Sequence, residues 1–314
     1  MINQKISNIL FILFAAVLLL ACATQEDKKG RFLLKGNEKL KENDLKGALD
    51  FYTEALKIDP NFADALLNRG IVQSRLNNFE AAIDDFSNIL SIGSSIDSTA
   101  YFQRGLSYLD NGENYKALND AENLLKESPE SWKSYFLLGL TKERLKDYDA
   151  ALKAFEKGLS YNPTNADLIV NMATILYYQK DYNRAIELLE NAEKSNPEEA
   201  NIYNLRSMIA FDNDRYQEAL SWVEKAISIN PRVSFYHNNR GLYYLFLGEL
   251  DKGITDINFS IKQNSKNPYA WRNKGIYYFL TGDKVSAQKY LEDAKNYDPK
   301  MDLVDEYLSK IRAL

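Results

Sequence analysis

Between residues 129 and 231 proline returns every thirty-four residues, at Pro129, Pro163, Pro197 and Pro231. Pro60 and Pro299 extend the series toward both ends. A small residue keeps the same period: Gly36, Gly70, Gly105, Gly139, Ala173, Ser207, Gly241 and Gly275. A third series runs through Ala48, Ala82, Ala117, Ala151, Ala185, Ala219, Gly253 and Ala287. Self-similarity of this kind excludes a globule with one centre. No single copy can bury its apolar face alone, so each must lean on its neighbours and the chain must build a linear array.

These three coupled series resemble the tetratricopeptide repeat, a helix–turn–helix unit of thirty-four residues. The resemblance covers residues 29–301 in eight units, starting near 29, 63, 98, 132, 166, 200, 234 and 268. It implies an all-α fold, a right-handed superhelical solenoid of about eight units. The eighth residue of each unit is small because helix A meets helix B there. The alanine at position twenty does the same from helix B. Tyr52, Phe86 and Phe155 on B helices, and Tyr108, Tyr244 and Tyr278 on A helices, are expected to fill the remaining space. Proline at position thirty-two ends helix B. The second unit carries one extra residue and has Ser94 in place of that proline; the seventh has Ser265 there and Gly253 in place of alanine. Residues 302–314 read as a capping helix, with Leu303, Val304, Tyr307, Leu308 and Ile311 at helical spacing.

The amino end, MINQKISNILFILFAAVLLLAC, has Lys5 ahead of an unbroken apolar run from Ile9 to Ala21. As a helix that run would reach about 20 Å, short of the roughly 30 Å hydrocarbon core, and it suits a signal peptide. Its end, LLAC, resembles the lipobox of bacterial lipoproteins, although Leu20 is bulkier than the family places there. The resemblance implies that residues 1–21 are removed, that Cys22 is lipidated, and that residues 22–28 form a tether. Acyl chains at about 0.8 kcal/mol per buried CH₂ would anchor the protein to a membrane without a spanning helix. The alternative is an ordinary secretory signal with an incidental cysteine. Ala23 after the cysteine resembles a signal for sorting to the outer membrane, and Glu26-Asp27 resembles a surface-export tag of some lipoproteins.

Composition narrows the chemistry. Cys22 is the one cysteine and His237 the one histidine, so a disulfide framework and a Cys/His zinc site are not expected. The net charge of −5 and the lack of a long basic stretch give nucleic-acid binding no support. No phosphate loop, G-x-S-x-G, H-E-x-x-H or EF-hand pattern is present. No cofactor, no metal and no catalysis are expected.

Function is therefore sought on the concave face, which in this family is lined by A helices at positions two, five, six, nine and twelve. Position six gives Asn68, Gln103, Asn171, Asn239 and Asn273, interrupted by Leu137 and Leu205; Asn204 stands at position five of its unit. An asparagine amide can pair with both polar groups of a peptide backbone. The series resembles the asparagine ladder in the repeat domain of the protein N-acetylglucosamine transferase. The other reading is that asparagine is tolerated on a solvated face. In the last two units Phe235, Asn238, Asn239, Leu242, Tyr269, Arg272, Asn273 and Ile276 occupy groove positions. Residues 234–301 hold thirteen aromatics, part of them core. Trp271, Tyr278 and His237 fall on packing positions.

A two-carboxylate clamp of the chaperone-binding members is not expected. Asn37 and Asn68 fall at its asparagine positions, but Leu33, Thr99 and Gln103 stand where its cations belong. The expectation is a non-enzymatic scaffold or adaptor of the bacterial envelope, anchored through lipid at the outer membrane, that binds an extended segment of another protein. The alternative is a pilotin-like assembly factor for a secretion, pilus or motility machine. Alanine at Asn239 and Asn273 is expected to weaken binding with little effect on unfolding.

Overall fold

The B helices show why the repeat folds as helix. In the first, Ala48, Tyr52, Ala55 and Leu56 are all buried and lie on one face at spacings of three to four. The computed structural model describes residues 24–313, and every regular element among them is helical. The chain divides at Pro163 into two units. The first holds α1 (residues 24–41), α2 (Leu45–Ile58), α3 (Ala63–Arg75), α4 (Phe79–Ile92), α5 (Asp97–Asp110), α6 (Asn114–Glu127), α7 (Trp132–Arg144) and α8 (Tyr148–Tyr161). The second holds α9 (Ala166–Tyr178), α10 (Tyr182–Ser195), α11 (Ala200–Asp212), α12 (Tyr216–Ile229), α13 (Ser234–Phe246), α14 (Leu250–Gln263), α15 (Pro268–Leu280), α16 (Lys284–Tyr297) and α17 (Val304–Arg312). Odd-numbered helices α1 to α15 are the A helices and even-numbered ones the B helices. Each A helix packs on the B helix that follows it, α1 on α2 through Gly36 and Tyr52, and α17 packs on α15 and α16.

Within a pair the helices touch at the small residue. A methyl group on Gly70 would stand 2.6 Å from the Phe86 ring, far inside van der Waals contact. Gly36 meets the Tyr52 ring and Gly139 the Phe155 ring in the same way. Tyr52, Phe86 and Phe155 are fully buried as a result.

The ends of the B helices follow from proline. Asp59, Ser128, Asn162, Asn196, Asn230 and Asp298 each precede a proline and leave the helical region, as at Asn162 (φ −139°, ψ 82°). The second repeat, within the first unit, solves its extra residue differently. Gly93 takes a left-handed φ of +68°, and Asp97 accepts hydrogen bonds from Ser94 N and Oγ at 2.9 and 3.2 Å.

Two periodic features were not read from the sequence. The turn from A to B always contains one left-handed residue, at position fifteen: Asn43, Asn77, Gly112, Lys146, Lys180, Asp214, Gly248 and Gly282. Three pairs are also joined by an arginine fork. Arg69 reaches Asp85 at 2.9 and 2.6 Å, Arg104 reaches Asp120 at 2.8 and 2.6 Å, and Arg240 reaches Asp256 at 2.6 and 2.9 Å.

The amino-terminal boundary also differs from the expected tether. Residues 24–28 are helical and continuous with α1. Lys29 bonds Glu26 at 2.8 Å and Asp59 at 2.6 Å, which ties this turn to the first repeat. Cys22 and the leader lie outside the described residues.

Two outcomes follow from these contacts. Lys146 is exposed at φ +62°, a conformation costing roughly 1–2 kcal/mol for a residue with a Cβ. Lys146→Gly is expected to raise stability by about 0.5–1 kcal/mol in denaturant titration, after the extra unfolded-state entropy of glycine is subtracted. Arg104→Ala strands the fully buried Asp120 and is expected to cost about 3–5 kcal/mol at neutral pH. Burial already pushes the Asp120 carboxyl up against the pull of Arg104. Without the arginine its folded-state pKa rises further above the unfolded value. The variant therefore gains relative stability as pH falls toward the ordinary carboxylate range and loses it as pH rises, which urea unfolding between about pH 4 and 7 would read.

Candidate functional site

The second unit encloses a cavity of about 910 Å³. Its walls come from equivalent positions of successive A helices. Helix α9 supplies Val170, Asn171, Thr174 and Tyr177; α11 supplies Asn201, Asn204, Leu205, Met208 and Phe211; α13 supplies Phe235, Asn238, Asn239 and Leu242; α15 supplies Tyr269 and Arg272. The turn into α17 adds Asp302 and Leu303, the latter at φ +68°. A period of thirty-four residues places like positions on neighbouring helices side by side, so one sequence pattern becomes one continuous surface.

The amides on this wall mostly bond each other. Asn239 Nδ2 donates to Asn204 Oδ1 at 3.0 Å. Asn273 Nδ2 donates to Asn238 Oδ1 at 3.0 Å and to its backbone carbonyl at 3.1 Å. Tyr236 Oη donates to Asn201 Oδ1 at 2.8 Å, and Asn171 Nδ2 to the Asp167 carbonyl at 2.7 Å. Asn204 and Asn238 are nearly buried, while Asn171 and Asn239 are half-buried. Asn239 keeps its Oδ1 without a partner among the described residues. In the first unit, Asn68 Nδ2 donates to Asn37 Oδ1 at 3.0 Å, and Gln103 is half-buried.

Asn273 departs from the sequence expectation. It is fully buried and does not line the cavity, and Ile276 is buried beside it. The Asn273 amide is spent on Asn238 of α13, and beyond it α17 packs on α15, with Phe279 and Tyr307 edge to face at 5.2 Å. Asn273 also accepts from Arg272 Nε at 2.9 Å, so its amide is a structural joint.

The rings divide into two classes. Phe235 and Tyr269, both at position two, are 44% and 48% exposed at the cavity rim. Tyr236 and Tyr243 are core. Phe211 packs against Tyr243, Phe246 and Tyr216 at centroid distances of 5.1, 5.0 and 5.4 Å. Tyr177 and Phe211 stand at position twelve of consecutive units, and the period alone would have found them. At the same end Asp212 accepts from Tyr182 Oη at 2.7 Å and from Lys180 at 3.0 Å. Tyr182 and Asp212 hold Lys180 above the usual lysine range. Leu303 and Asp302 were not legible as site residues, because a cap's turn carries no repeat position.

The site offers hydrogen bonds, rings and one buried cation. Burial pushes the phenols of Tyr177 and Tyr243 up, so both stay protonated at neutral pH. Tyr243 Oη lies 3.0 Å from Ser207 Oγ. His237 lies 2.8 Å from the Pro231 carbonyl and 3.2 Å from Asp256, with its ring on Phe259. It is thus a packing residue that braces the α13–α14 pair. Among the described residues no group of three His, Cys, Asp or Glu side chains is placed to hold a metal ion.

Comparison with known proteins agrees with this architecture. The model of the cytochrome c-type biogenesis protein H TPR domain matches residues 122–232, and a TPR repeat model matches residues 36–77. DnaJ homolog subfamily C member 7 of Mus musculus is 35% identical over 121 residues, 36% of this chain and 24% of that protein. The chain thus spans about a quarter of the length of this curated relative. Among solved structures, the APC/C hetero-tetramer Cut9-Hcn1 superposes with a TM-score of 0.70 over 89% of this chain and 55% of that one, at 14% identity. PilW, described as a type IV pilus biogenesis factor, gives 0.54 over 68% of this chain and all of its own, also at 14% identity. At such identities the likeness is one of fold. Eight helical hairpins of about thirty-four residues, matched by TPR models at residues 36–77 and 122–232 and superposable on solved structures of the same fold, make this chain an array of tetratricopeptide-type repeats.

Proposed function

We propose that this protein is a non-enzymatic scaffold or adaptor of the bacterial cell envelope, and that it grips an extended segment of another protein in the cavity of its second unit. The observation that carries this reading is the cavity itself. Four successive A helices present the same positions to one 910 Å³ space, with the exposed rings of Tyr178, Phe235 and Tyr269 along it and half-buried amides behind them. Rings at a rim bury apolar area cheaply in conformational entropy, and amides pair with a peptide backbone whatever its side chains. Anchoring rests on the lipobox-like LLAC and Cys22, at the outer membrane in the reading of Ala23. Among the described residues no helix is long and apolar enough to cross a membrane.

A pilotin-like role in assembling a pilus, secretion or motility machine is the second reading. PilW has this fold, and an acylated repeat array of this kind suits an escort for an outer-membrane subunit.

Photo-crosslinking in cells separates these readings. A benzoyl-phenylalanine placed at Phe235 or Tyr269 is expected to capture a partner, whereas the same probe at Tyr297 on α16, 68% exposed, is expected to capture none. A ring-forming membrane subunit in the product favours the machine; a soluble client favours the adaptor; capture from Tyr297 alone removes the cavity from consideration. Asn239→Ala is expected to weaken capture with thermal unfolding nearly unchanged. Asn273→Ala is expected to cost about 1–3 kcal/mol of stability, because Asn238 and Arg272 lose a buried partner. Cys22→Ser is expected to move the protein out of the membrane fraction, and retention there would sink the lipid anchor.

A further inference from the structure

The protein pairs its partly buried arginines with carboxylates wherever it can. Arg69, Arg104 and Arg240 each fork onto an aspartate, and Arg206 meets Glu193 at 2.8 Å. Arg272 breaks this habit. It is the most buried arginine of the described residues, only 8% exposed, and no carboxylate there lies within 4.0 Å of it. Its Nε is spent on Asn273, and Nη1 lies 3.5 Å from the Asp302 carbonyl, a long contact. A guanidinium has five donors, and those not bonded within the protein open to the cavity. Tyr269 stacks near it, with the guanidinium carbon 5.6 Å from the ring centroid. Burial pushes its pKa down from the ordinary arginine value, yet a group that starts above about 12 keeps its charge at neutral pH. The side chain lines the cavity wall.

A largely buried guanidinium whose remaining donors open to a cavity is completed there by water or, more strongly, by an anion. We propose that Arg272 is the seat for the side-chain carboxylate of a glutamate or aspartate in the segment bound in this cavity, an inference that rests on the peptide-binding reading above. Arg272 presents the planar fork that matches a carboxylate in bidentate geometry. Other charges in the cavity wall set the size of the anion. Lys180 is already satisfied by Asp212, Asp214 accepts from Tyr216, and the Asp302 carboxylate lies close enough to Arg272 to favour its charge. The acidic groups on this wall oppose added negative charge, and they oppose a dianionic phosphate about twice as strongly as a carboxylate. Depth decides between a side chain and a chain terminus. Arg272 is as deeply buried as Asn204, below the half-buried amides that would hold a peptide backbone. A glutamate reaches that depth with methylenes passing the rim rings, while its backbone stays at the level of Asn239. A terminal carboxylate would draw the backbone down with it and forfeit those amide contacts.

The test uses the detergent-solubilised full chain, immobilised, and four sets of fluorescein-labelled, N-acetylated decapeptides randomised except at the centre. Three sets are C-amidated, with central glutamate, glutamine or phosphoserine. The fourth has central glutamine and a free C-terminal carboxylate. Wild type is expected to retain the glutamate set at least tenfold over the amidated glutamine set. Arg272→Gln, with its helical circular dichroism intact, is expected to erase that preference, and Arg272→Lys to keep part of it. Equal retention of glutamate and glutamine overturns the carboxylate seat while leaving peptide binding in place. So does a preference for phosphoserine or for the free terminus, or a glutamate preference that survives Arg272→Gln. Retention of no set overturns the peptide-binding reading and the seat together. The wild-type comparison needs no variant, so a folding defect in either substitution does not remove the test.

Discussion

One contact sets the geometry of every repeat: a helix A backbone laid directly against helix B at a residue with little or no side chain. Where that residue is glycine, a ring or aliphatic group fills the place a Cβ would take, from helix B as Phe86 does over Gly70, or, at Gly105, from Leu137 of the next A helix. The pair is thereby fixed in separation and angle. Because every unit fixes the same angle, equal positions of successive A helices come to lie in a row. In the second unit that row forms a cavity wall, and its residues are adjacent in space only because they are thirty-four apart in sequence. The α17 cap obeys no repeat position, and it ends the row by packing on α15 and α16.

Polar side chains inside this framework fall into two groups with opposite consequences. The arginine forks are complete: each buried aspartate meets two guanidinium nitrogens, and the gain is geometric as much as energetic. The amides of α11, α13 and α15 form short relays that stitch one A helix to the next, Asn204 to Asn239 and Asn238 to Asn273. These relays explain why asparagine recurs at such positions without any ligand. A groove amide therefore has two employers, and burial tells which one dominates. Asn239 is half open, whereas Asn273 belongs wholly to the fold. Arg272 lies at the junction, bonded to the structural relay through Nε and open to the cavity through the rest of its fork.

Strain is distributed with the same period. A left-handed residue at every intra-repeat turn lets helix A reverse into helix B in three residues. Glycine takes that position in three units, and asparagine, lysine or aspartate in the others. The last group bears a backbone cost that the helix contacts on either side outweigh. Leu303 is a further case outside the period, at the turn that roofs the cavity.

Much of this was legible in the residues. The small-residue and proline series determine that the chain is an array of helical hairpins, because close backbone contact and helix termination are local requirements of residue type. The same period locates the cavity-facing positions, including Phe235, Tyr269 and Asn239. Three things were decided only by tertiary structure. The partner of each amide depends on distance across helices, so Asn273 reads like Asn239 in sequence and behaves differently. The burial of Arg272 with no ion pair was equally hidden, because its neighbour Asp302 lies in the turn before α17, and a cap has no register in the repeat. The unit-two insertion was visible as an extra residue, but its solution, a left-handed Gly93 with Asp97 bonding Ser94, is a matter of backbone torsion. Sequence spacing dictates which side chains share a face; only folding determines which of them the protein uses up on itself, because a hydrogen bond or an ion pair is settled by angstroms that spacing does not contain.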